Sequence, residues 1–399
     1  MSLFDHLTAR GFFQTTTDRA ALRAALDGPP LTFYCGFDPT GTSLHVGHLL
    51  PVMLMRWLQQ AGHRAIVVLG GGTAMVGDPS GKDRTREILT PEKIASNLAS
   101  MRPQMERFLV LDGQRGFVVD NASWLMGLGY IAFLRDVGQH FSVNRMLSAE
   151  SAKQRLERNQ GLSFIEFNYH LLQSYDYLVL HRQHGCSLQI GGDDQWFNIL
   201  GGADLIRREH GAEVHAATVP LMMTADGKKM GKTESGSVWL DPALVSPFQY
   251  YQYWVNVQDA DVERFLKLYT ALPLDEVARL AALQGADIRT AKQALAHAAT
   301  ALAHGDAAAD AAREAAAALF SGGGEASGAP TVALSLPAPL LDALVVGGLA
   351  KSKSEARRLV EQGGVRLDDT RLTDPFASVE APGVLWAGKK KAVRIQAAG

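Results

Sequence analysis

Short apolar runs rich in β-branched and aromatic residues alternate with helical patterns through the first half of the chain. Leu31-Thr32-Phe33-Tyr34-Cys35-Gly36 predicts a strand, and the turn-forming Asp38-Pro39-Thr40-Gly41-Thr42 follows it. A helical pattern then runs from His45 to about Gln60, and Gly62 stops it. Residues 65–69 make a second β-branched run ending in Gly70-Gly71-Gly72, and 187–190 a third ending in Gly191-Gly192. Strands alternating with helices imply βαβ units, so the expected fold class is α/β, a parallel sheet covered on both faces. Ligands of such sheets sit at the carboxyl ends of the strands. The polar turns named above fall there.

After about residue 245 the pattern changes. Residues 259–320 read as helices rich in Ala, Leu and charged residues, with no strand. The high helix propensity of alanine favours short, closely packed helices. Ser321-Gly322-Gly323-Gly324-Glu325-Ala326-Ser327-Gly328-Ala329-Pro330 has the composition of a flexible linker. From Leu340 onward, ten Lys and Arg stand against seven Asp and Glu, a net +3, while the whole chain is −2; the rest is therefore −5. Ser352 and Glu355 have capping-box spacing at the start of a helix that Gly363-Gly364 closes. Lys353 with Arg357, and Lys351 with Arg358, lie four and seven apart, which predicts a shared basic helix face. The expected division is 1–245 for the sheet domain, 246–320 for a helical domain, 321–333 for the linker and 334–399 for the basic module.

Composition narrows the class. With 399 residues, 47% of them hydrophobic and 20% charged, the chain is a globular protein of two or three domains. Two cysteines, Cys35 and Cys186, exclude a disulfide scaffold and a four-cysteine zinc site, and fit a reducing compartment. A net charge of −2 excludes nucleic-acid binding by gross charge alone, but not by a local basic module. No run of about 18 apolar residues predicts a membrane span. The first thirteen residues carry Asp5, His6 and Arg10 and lack the features of a signal peptide. A cytoplasmic protein is expected.

Two motifs carry phosphate chemistry. His45-Val46-Gly47-His48 opens a helix, whose N-terminus offers free N–H groups and a positive dipole end. Its glycine lets a planar base or a phosphate approach the backbone. Lys228-Lys229-Met230-Gly231-Lys232-Thr233 is a basic, glycine-containing loop that can wrap a polyphosphate. Alone, the first reads equally as a helix cap with a packed histidine, and the second as a solvated basic turn; no third ligand suggests zinc. Together on one α/β sheet they have the arrangement of the class I aminoacyl-tRNA synthetases, whose signatures are HIGH and KMSKS. The second departs from its signature at Gly231 and Thr233.

Further stretches narrow the resemblance. Tyr34-Cys35-Gly36-Phe37-Asp38-Pro39-Thr40, Gly77-Asp78-Pro79-Ser80-Gly81-Lys82, Tyr169 with Gln173 and Asp176, and Gln189-Ile190-Gly191-Gly192-Asp193-Asp194-Gln195 resemble the bacterial tyrosyl-tRNA synthetases, nearly end to end. Ser354-Glu355-Ala356-Arg357-Arg358-Leu359-Val360 and Gly363-Gly364-Val365 resemble the small RNA-binding module named after ribosomal protein S4. The resemblance implies a Rossmann-type catalytic domain, an all-α anticodon-side domain and a small α+β RNA-binding module. It implies formation of tyrosyl-adenylate from L-tyrosine and ATP, then transfer of tyrosine to the terminal adenosine of tRNA(Tyr). Mg2+ would come with ATP, with no tightly bound cofactor and no protein metal site. A homodimer, joined through an insertion at about 120–165, is implied as well; Phe133, Phe141 and Phe164 there could equally be core.

The resemblance also assigns residues. Tyr34 and Asp176 would bond the phenolic hydroxyl of tyrosine; Asp78, Tyr169 and Gln173 would hold its ammonium, with Gln189 and Gln195 completing the pocket. Tyr169, Gln173 and Asp176 share one helix face by spacing. Cys35, Gly36, Asp38, Gly47, His48, Gly192, Asp194 and Gln195 would line the adenosine side, although Cys35 reads equally as a small buried strand residue. Asp193 would point away. Thr40, His45, Lys82, Arg86, Lys229 and Lys232 would grip the phosphates, and Lys351, Lys353, Arg357 and Arg358 would contact tRNA. Two rivals stay open at this point: a small-molecule nucleotidyltransferase of the same fold, and a non-catalytic RNA-binding protein whose basic module does its work.

Overall fold

A computed structural model describes residues 1–79, 89–159, 161–225, 227, 230, 232–233, 236–320, 331–368, 370–388 and 391–398. The chain forms two compact units, one of residues 1–231, 239–241 and 258–284, the other of 232–238, 242–257 and 285–399.

The first unit is built on five parallel strands: β1 (Thr32–Phe37), β2 (Arg64–Leu69), β3 (Gly116–Asp120), β4 (Cys186–Gly192) and β5 (His215–Val219). Their order is β3-β2-β1-β4-β5. The three strands read from the pattern are present, each displaced or extended by a residue or two. β3 and β5 have no counterpart in the sequence reading. Each is five residues long, and β5 contains Ala216 and Ala217, which have little strand preference. The N-terminal segment secures β5: Gln14 and Thr17 N–H donate to Thr218 and Ala216 carbonyls, and Thr218 N–H donates to Thr15. A sheet edge is thereby closed.

Two long helices set the far side of the site. Phe164–His184 starts in a capping box between Ser163 and Glu166 and ends at Gly185, which is left-handed at φ 60°. Helix Trp196–His210 packs directly on it because Gly201 and Gly202 lack side chains. A Cβ on Gly201 would lie 2.3 Å from His170 Cε1, and one on Gly202 would lie 2.8 Å from Tyr177 Cβ. Between β3 and Phe164–His184, short helices Ala122–Leu125, Tyr130–Asp136, Val143–Leu147 and Glu150–Glu157 fill the expected insertion. Phe133 and Phe141 pack inward with Tyr34 and Tyr177, whereas Phe164 is exposed.

The stretch expected as one helical domain, 246–320, is divided between the units. Helix Val262–Tyr269 buries Phe265, Leu266 and Tyr269 in the first unit. There the buried Arg10 guanidinium donates to the carbonyls of Lys267, Thr270 and Leu272. Helices Pro247–Val255, Ile288–His304 and Asp306–Phe320 pack together in the second unit. Their alanines, among them Ala291, Ala296, Ala299 and Ala312, are buried, so the helices approach closely as their composition predicts.

The C-terminal part is an antiparallel sheet with one parallel edge. Its strands lie in the order Thr370–Leu372, Val365–Leu367, Gly383–Ala387, Lys391–Ala397, Thr331–Leu334. Residues 331–333, expected in the linker, thus belong to a strand; 321–330 lie outside the described residues. Helices Leu340–Val346 and Lys353–Glu361 cover one face, burying Leu340, Leu344 and Val360 against Val365, Leu385 and Ile395.

Gly201→Ala should destabilise the protein by about 1–3 kcal/mol through overpacking, despite alanine's better helix propensity. Urea unfolding measures this; an unchanged or higher midpoint would show that the two helices can part to admit a methyl group.

Candidate active site

β1 and β4 lie side by side with Tyr34 and Gln189 as register partners, so both side chains leave the sheet on the same face. Both are almost fully buried. Among the described residues, the Tyr34 hydroxyl and Gln189 Oε1 each have no hydrogen-bond partner. An unpaired buried polar atom is costly. Two on neighbouring strands, midway along β1 and β4, mark a place for a polar group from outside. Burial, with the Asp176 charge behind it, pushes the Tyr34 hydroxyl well above its ordinary range, so it is a protonated donor.

The Asp176 charge is close enough to act on the Tyr34 hydroxyl. Asp176 is 4% exposed, and its carboxylate accepts from Asn121 Nδ2 at 2.9 Å and Trp124 Nε1 at 2.7 Å. Burial pushes its carboxyl up to about 7, with those two bonds acting in the opposite direction. Asn121 is the hub of this end. Its Oδ1 accepts from Gly72 N–H at 2.8 Å, and its Nδ2 also donates to Thr73 Oγ1 at 3.0 Å. The adjoining Asp120 accepts from Gly71 N–H. Side chains on Gly70 or Gly71 would collide with the carboxylates of Asp38 and Asp120, which is why this loop is glycine. Asn121, Trp124, Thr73 and Asp120 were missed in the sequence because β3 was missed. The signal was the Asp120-Asn121 pair following the apolar Phe117-Val118-Val119.

The other polar residues fall into two linked pairs. Tyr169 donates to Asp38 Oδ2 at 2.9 Å, and Thr73 donates to Asp38 Oδ1 at 2.7 Å. Tyr169 and Asp38, expected on opposite halves of the site, therefore meet. Asp78, aimed by the left-handed Gly77 (φ 87°), accepts from Gln195 Nε2 at 2.8 Å. Gln173 is half-buried on the same helix face as Tyr169 and Asp176. Cys35 is buried; its thiol is pushed up to about 12 by burial and turns to the Gly36 carbonyl at 3.9 Å. Gly36 is exposed. A Cβ on Gly192 would lie 2.7 Å from Asp194 Oδ1. Asp193 accepts from Thr15 and Thr218 hydroxyls, tying β5 to the N-terminal segment.

His45 is the N-cap of helix Val46–Gln60. Its N–H donates to His48 Nδ1 at 3.2 Å, and the two rings stack with centroids 3.8 Å apart. Gly47 makes room for the His45 ring itself, since a Cβ there would lie 2.8 Å from His45 Cε1. Backbone pairing joins this turn to the segment beyond the lysine loop: His45 bridges Trp239, and Leu240 N–H donates to Leu44. Thr40 is exposed before the turn. Lys82, Arg86 and Lys229 lie outside the described residues. Lys232 is described in its backbone only, in a two-residue strand paired with Ser237. In the C-terminal module, Ser352 caps helix Lys353–Glu361, so Lys351 lies outside it. The basic helix face expected from 351 and 358 is reduced accordingly. Lys353 pairs with Asp342 at 2.5 Å, and the Arg357 guanidinium lies 5.2 Å over the Phe376 ring. Arg358 is exposed on the same helix.

A parallel sheet, a stacked-histidine turn at a helix N-terminus, and buried polar groups on neighbouring strands define the class as a ligand-binding α/β protein. The family described as tRNA synthetases class I (W and Y) matches residues 26–321, and the S4 domain matches 340–379. The chain belongs to the class I tRNA synthetases of that family. Curated relatives from Clostridium botulinum and Clostridium tetani, both tyrosine–tRNA ligases, are 51% and 50% identical over 94% of this chain and 92% of theirs. A truncated mitochondrial tyrosyl-tRNA synthetase from Aspergillus nidulans superposes with a TM-score of 0.72 at 31% identity, over 80% of this chain and 94% of that one. No described helix is long and apolar enough to cross a membrane.

The raised Asp176 carboxyl gives a signed pH dependence. Between about pH 4 and 7 the native state holds a proton that the unfolded chain has lost. Stability from this group is full below about pH 4 and is lost as pH rises towards 7. Asp176→Asn removes it, so the variant should gain stability relative to wild type from pH 4.5 to 7.5 in paired urea melts. A constant offset would show that Asp176 titrates normally.

Proposed function

We propose that this chain is a tyrosine–tRNA ligase, which joins L-tyrosine to ATP with release of pyrophosphate and then transfers the tyrosyl group to the terminal adenosine of tRNA(Tyr). The observation that carries the reading is the oriented Asp176 carboxylate beside the unpartnered Tyr34 hydroxyl. A substrate phenol donates to the first and accepts from the second. Phenylalanine would leave both groups buried and unpaired, which disfavours it. Gln189 borders the same slot, and Asp78, Tyr169, Gln173 and Gln195 receive the ammonium. Gly36, Asp38, Gly192 and Asp194 take the adenosine side, with Cys35 lining it through its buried edge.

Attack of the tyrosine carboxylate on the α-phosphate needs no protein nucleophile. The protein's part is positioning and stabilisation of charge on the departing pyrophosphate. Thr40 and the His45–His48 turn supply donors at the helix N-terminus, and Gly47 keeps the His45 ring in place. Lys82, Arg86, Lys229 and Lys232 add positive charge in this reading. Mg2+ accompanies the ATP phosphates and neutralises part of their charge. The place of work is the cytoplasm.

Tyrosine-dependent ATP–pyrophosphate exchange tests the reading. Asp176→Ala should lower kcat/KM for tyrosine by roughly tenfold to a hundredfold, the equivalent of about 1.5–3 kcal/mol for a lost charged acceptor. His45→Ala should slow exchange by on the order of 3 kcal/mol in the barrier while tyrosine affinity stays near wild type, because its target charge develops only in the transition state. Exchange with another substrate but not with tyrosine would favour a nucleotidyltransferase. Exchange with none would favour an RNA-binding protein.

In this reading the working form is a homodimer joined through residues 120–165. Tyr130, Ile131 and Phe164, 60–75% exposed, are the support. Ile131→Glu should shift the sedimentation coefficient from dimer to monomer, and an unshifted dimer would place the interface elsewhere.

A further inference from the structure

We infer that Gln104 and Asn97, two buried amides on helix Pro91–Met105, are positioning residues for the phosphate end of the candidate site. They fix the backbone of residues 39–44, which carries Thr40 and runs directly into His45. The inference rests on the reading that this chain activates tyrosine with ATP.

Residues 38–44 link β1 to helix Val46–Gln60 and belong to neither helix nor strand. Pro39, Ser43 and Leu44 are nevertheless buried, so their backbone groups need partners that no regular ladder supplies. Helix Pro91–Met105 supplies them from its side chains. Gln104 Oε1 accepts from Leu44 N–H at 2.9 Å and lies 3.0 Å from Ser43 Oγ. Its Nε2 donates to the Thr42 carbonyl at 3.4 Å and to the Ser100 carbonyl of its own helix at 2.9 Å. A glutamine amide has two N–H donors and two acceptor sites. All four are used here, three of them on consecutive residues of the segment. Seven residues earlier, Asn97 Nδ2 donates to the Pro39 carbonyl at 2.8 Å. Seven residues make about two turns, so both amides leave the helix on one face.

Packing alone does not explain these residues. Asn97 is fully buried, yet among the described residues its Oδ1 has no partner. An apolar side chain would fill the space without that cost, so the donor end is what the position uses. The helix is itself anchored. Thr90 Oγ1 accepts from Lys93 N–H at its start, and Ile94, Met101 and Met105 are buried. Its apolar residues hold it in place, and its two amides hold the segment. The bonds continue beyond the segment. Leu44 gives its N–H to Gln104 and its carbonyl to Leu240 N–H, while Ser43 Oγ accepts from Asp241 N–H at 3.1 Å.

In the reading above, Thr40 and His45 meet charge that develops on the departing pyrophosphate. Thr40 lies between the anchors at Pro39 and Thr42, and His45 follows the anchor at Leu44. Gln104 and Asn97 therefore act on the rate without touching substrate, since a misplacement of about 1 Å can cost on the order of a hundredfold. The tyrosine slot is held by the separate network around Asn121, so tyrosine binding should not feel their loss.

The test is the single-turnover rate constant for tyrosyl-adenylate formation by the full chain, measured by rapid quench at saturating tyrosine and ATP. That constant does not depend on how much of the protein is folded. Gln104→Met keeps the length of the side chain and removes its hydrogen bonds. It should lower the rate constant roughly tenfold to a hundredfold and leave tyrosine affinity within about twofold of wild type. In a Thr40→Ala and His45→Ala background the same change should cost less than about threefold, because the groups it positions are gone. Gln104→Glu keeps the acceptor for Leu44 N–H and should lose less than the methionine variant. It carries the test if Gln104→Met does not fold, with the same dependence on background. A wild-type rate constant in Gln104→Met, an equal loss in both backgrounds, or a parallel fall in tyrosine affinity overturns the inference. Amide hydrogen exchange in a peptide spanning residues 39–48 needs no catalysis and should be faster in the variant; unchanged exchange overturns the inference as well. A wild-type chain that makes no adenylate from tyrosine would count against the ligase reading, and the hydrogen exchange then decides whether Gln104 holds the segment.

Discussion

A carboxylate held, among the described residues, by neutral donors rather than a cation governs the architecture of one end of the candidate site. Asp176 is held at 4% exposure by two neutral donors, Asn121 and Trp124. Without them, taking its charge out of water would be prohibitive; with them, the group is kept at the edge of ionisation, about 7. Asn121 uses its amide to join two segments: Gly72 and Thr73 in the loop after β2, and the helix carrying Asp176. Such a fully connected polar network fixes one geometry, because each displaced member strands the others. The Thr73–Asp38–Tyr169 chain then extends the same network across the sheet.

Rigidity at that end has a functional use. In the proposed reading, telling a phenol from a phenyl ring depends on donors and acceptors that cannot relax towards each other when the hydroxyl is missing. Tyr34 and Gln189 are held by strand register, and Asp176 by a capped 21-residue helix locked through Gly201 and Gly202 onto its neighbour. The phosphate end is built differently. His45 and His48 sit in a turn that backbone pairing ties to 239–241, directly after the lysine loop.

In the C-terminal module, the hydrophobic face of the sheet needs two helices to cover it. The other face sets Arg366 directly opposite Arg371 on one side and Trp386 on the other.

The sequence by itself determined the local order: strands β1, β2 and β4, the long helix from His45, the capped helix holding Tyr169, Gln173 and Asp176, and the α/β class. Those rest on periodicity, caps and glycine stops, which act over a few residues. Residue types also made the two motifs readable as phosphate sites, a role carried into the proposed function. Only the tertiary structure decided what meets what. β3 and β5 are short and weakly marked, so their pairing, and with it the role of Asn121 and Trp124, depended on neighbours distant in the chain. In the split of 246–320 between two units, the part in the first unit is where Arg10 meets carbonyls some 260 residues away. Tyr169 and Asp38 met across a gap of 131 residues that no spacing rule spans. Which face of the last sheet is basic was settled by register, since one residue's slip would have sent every arginine into the core.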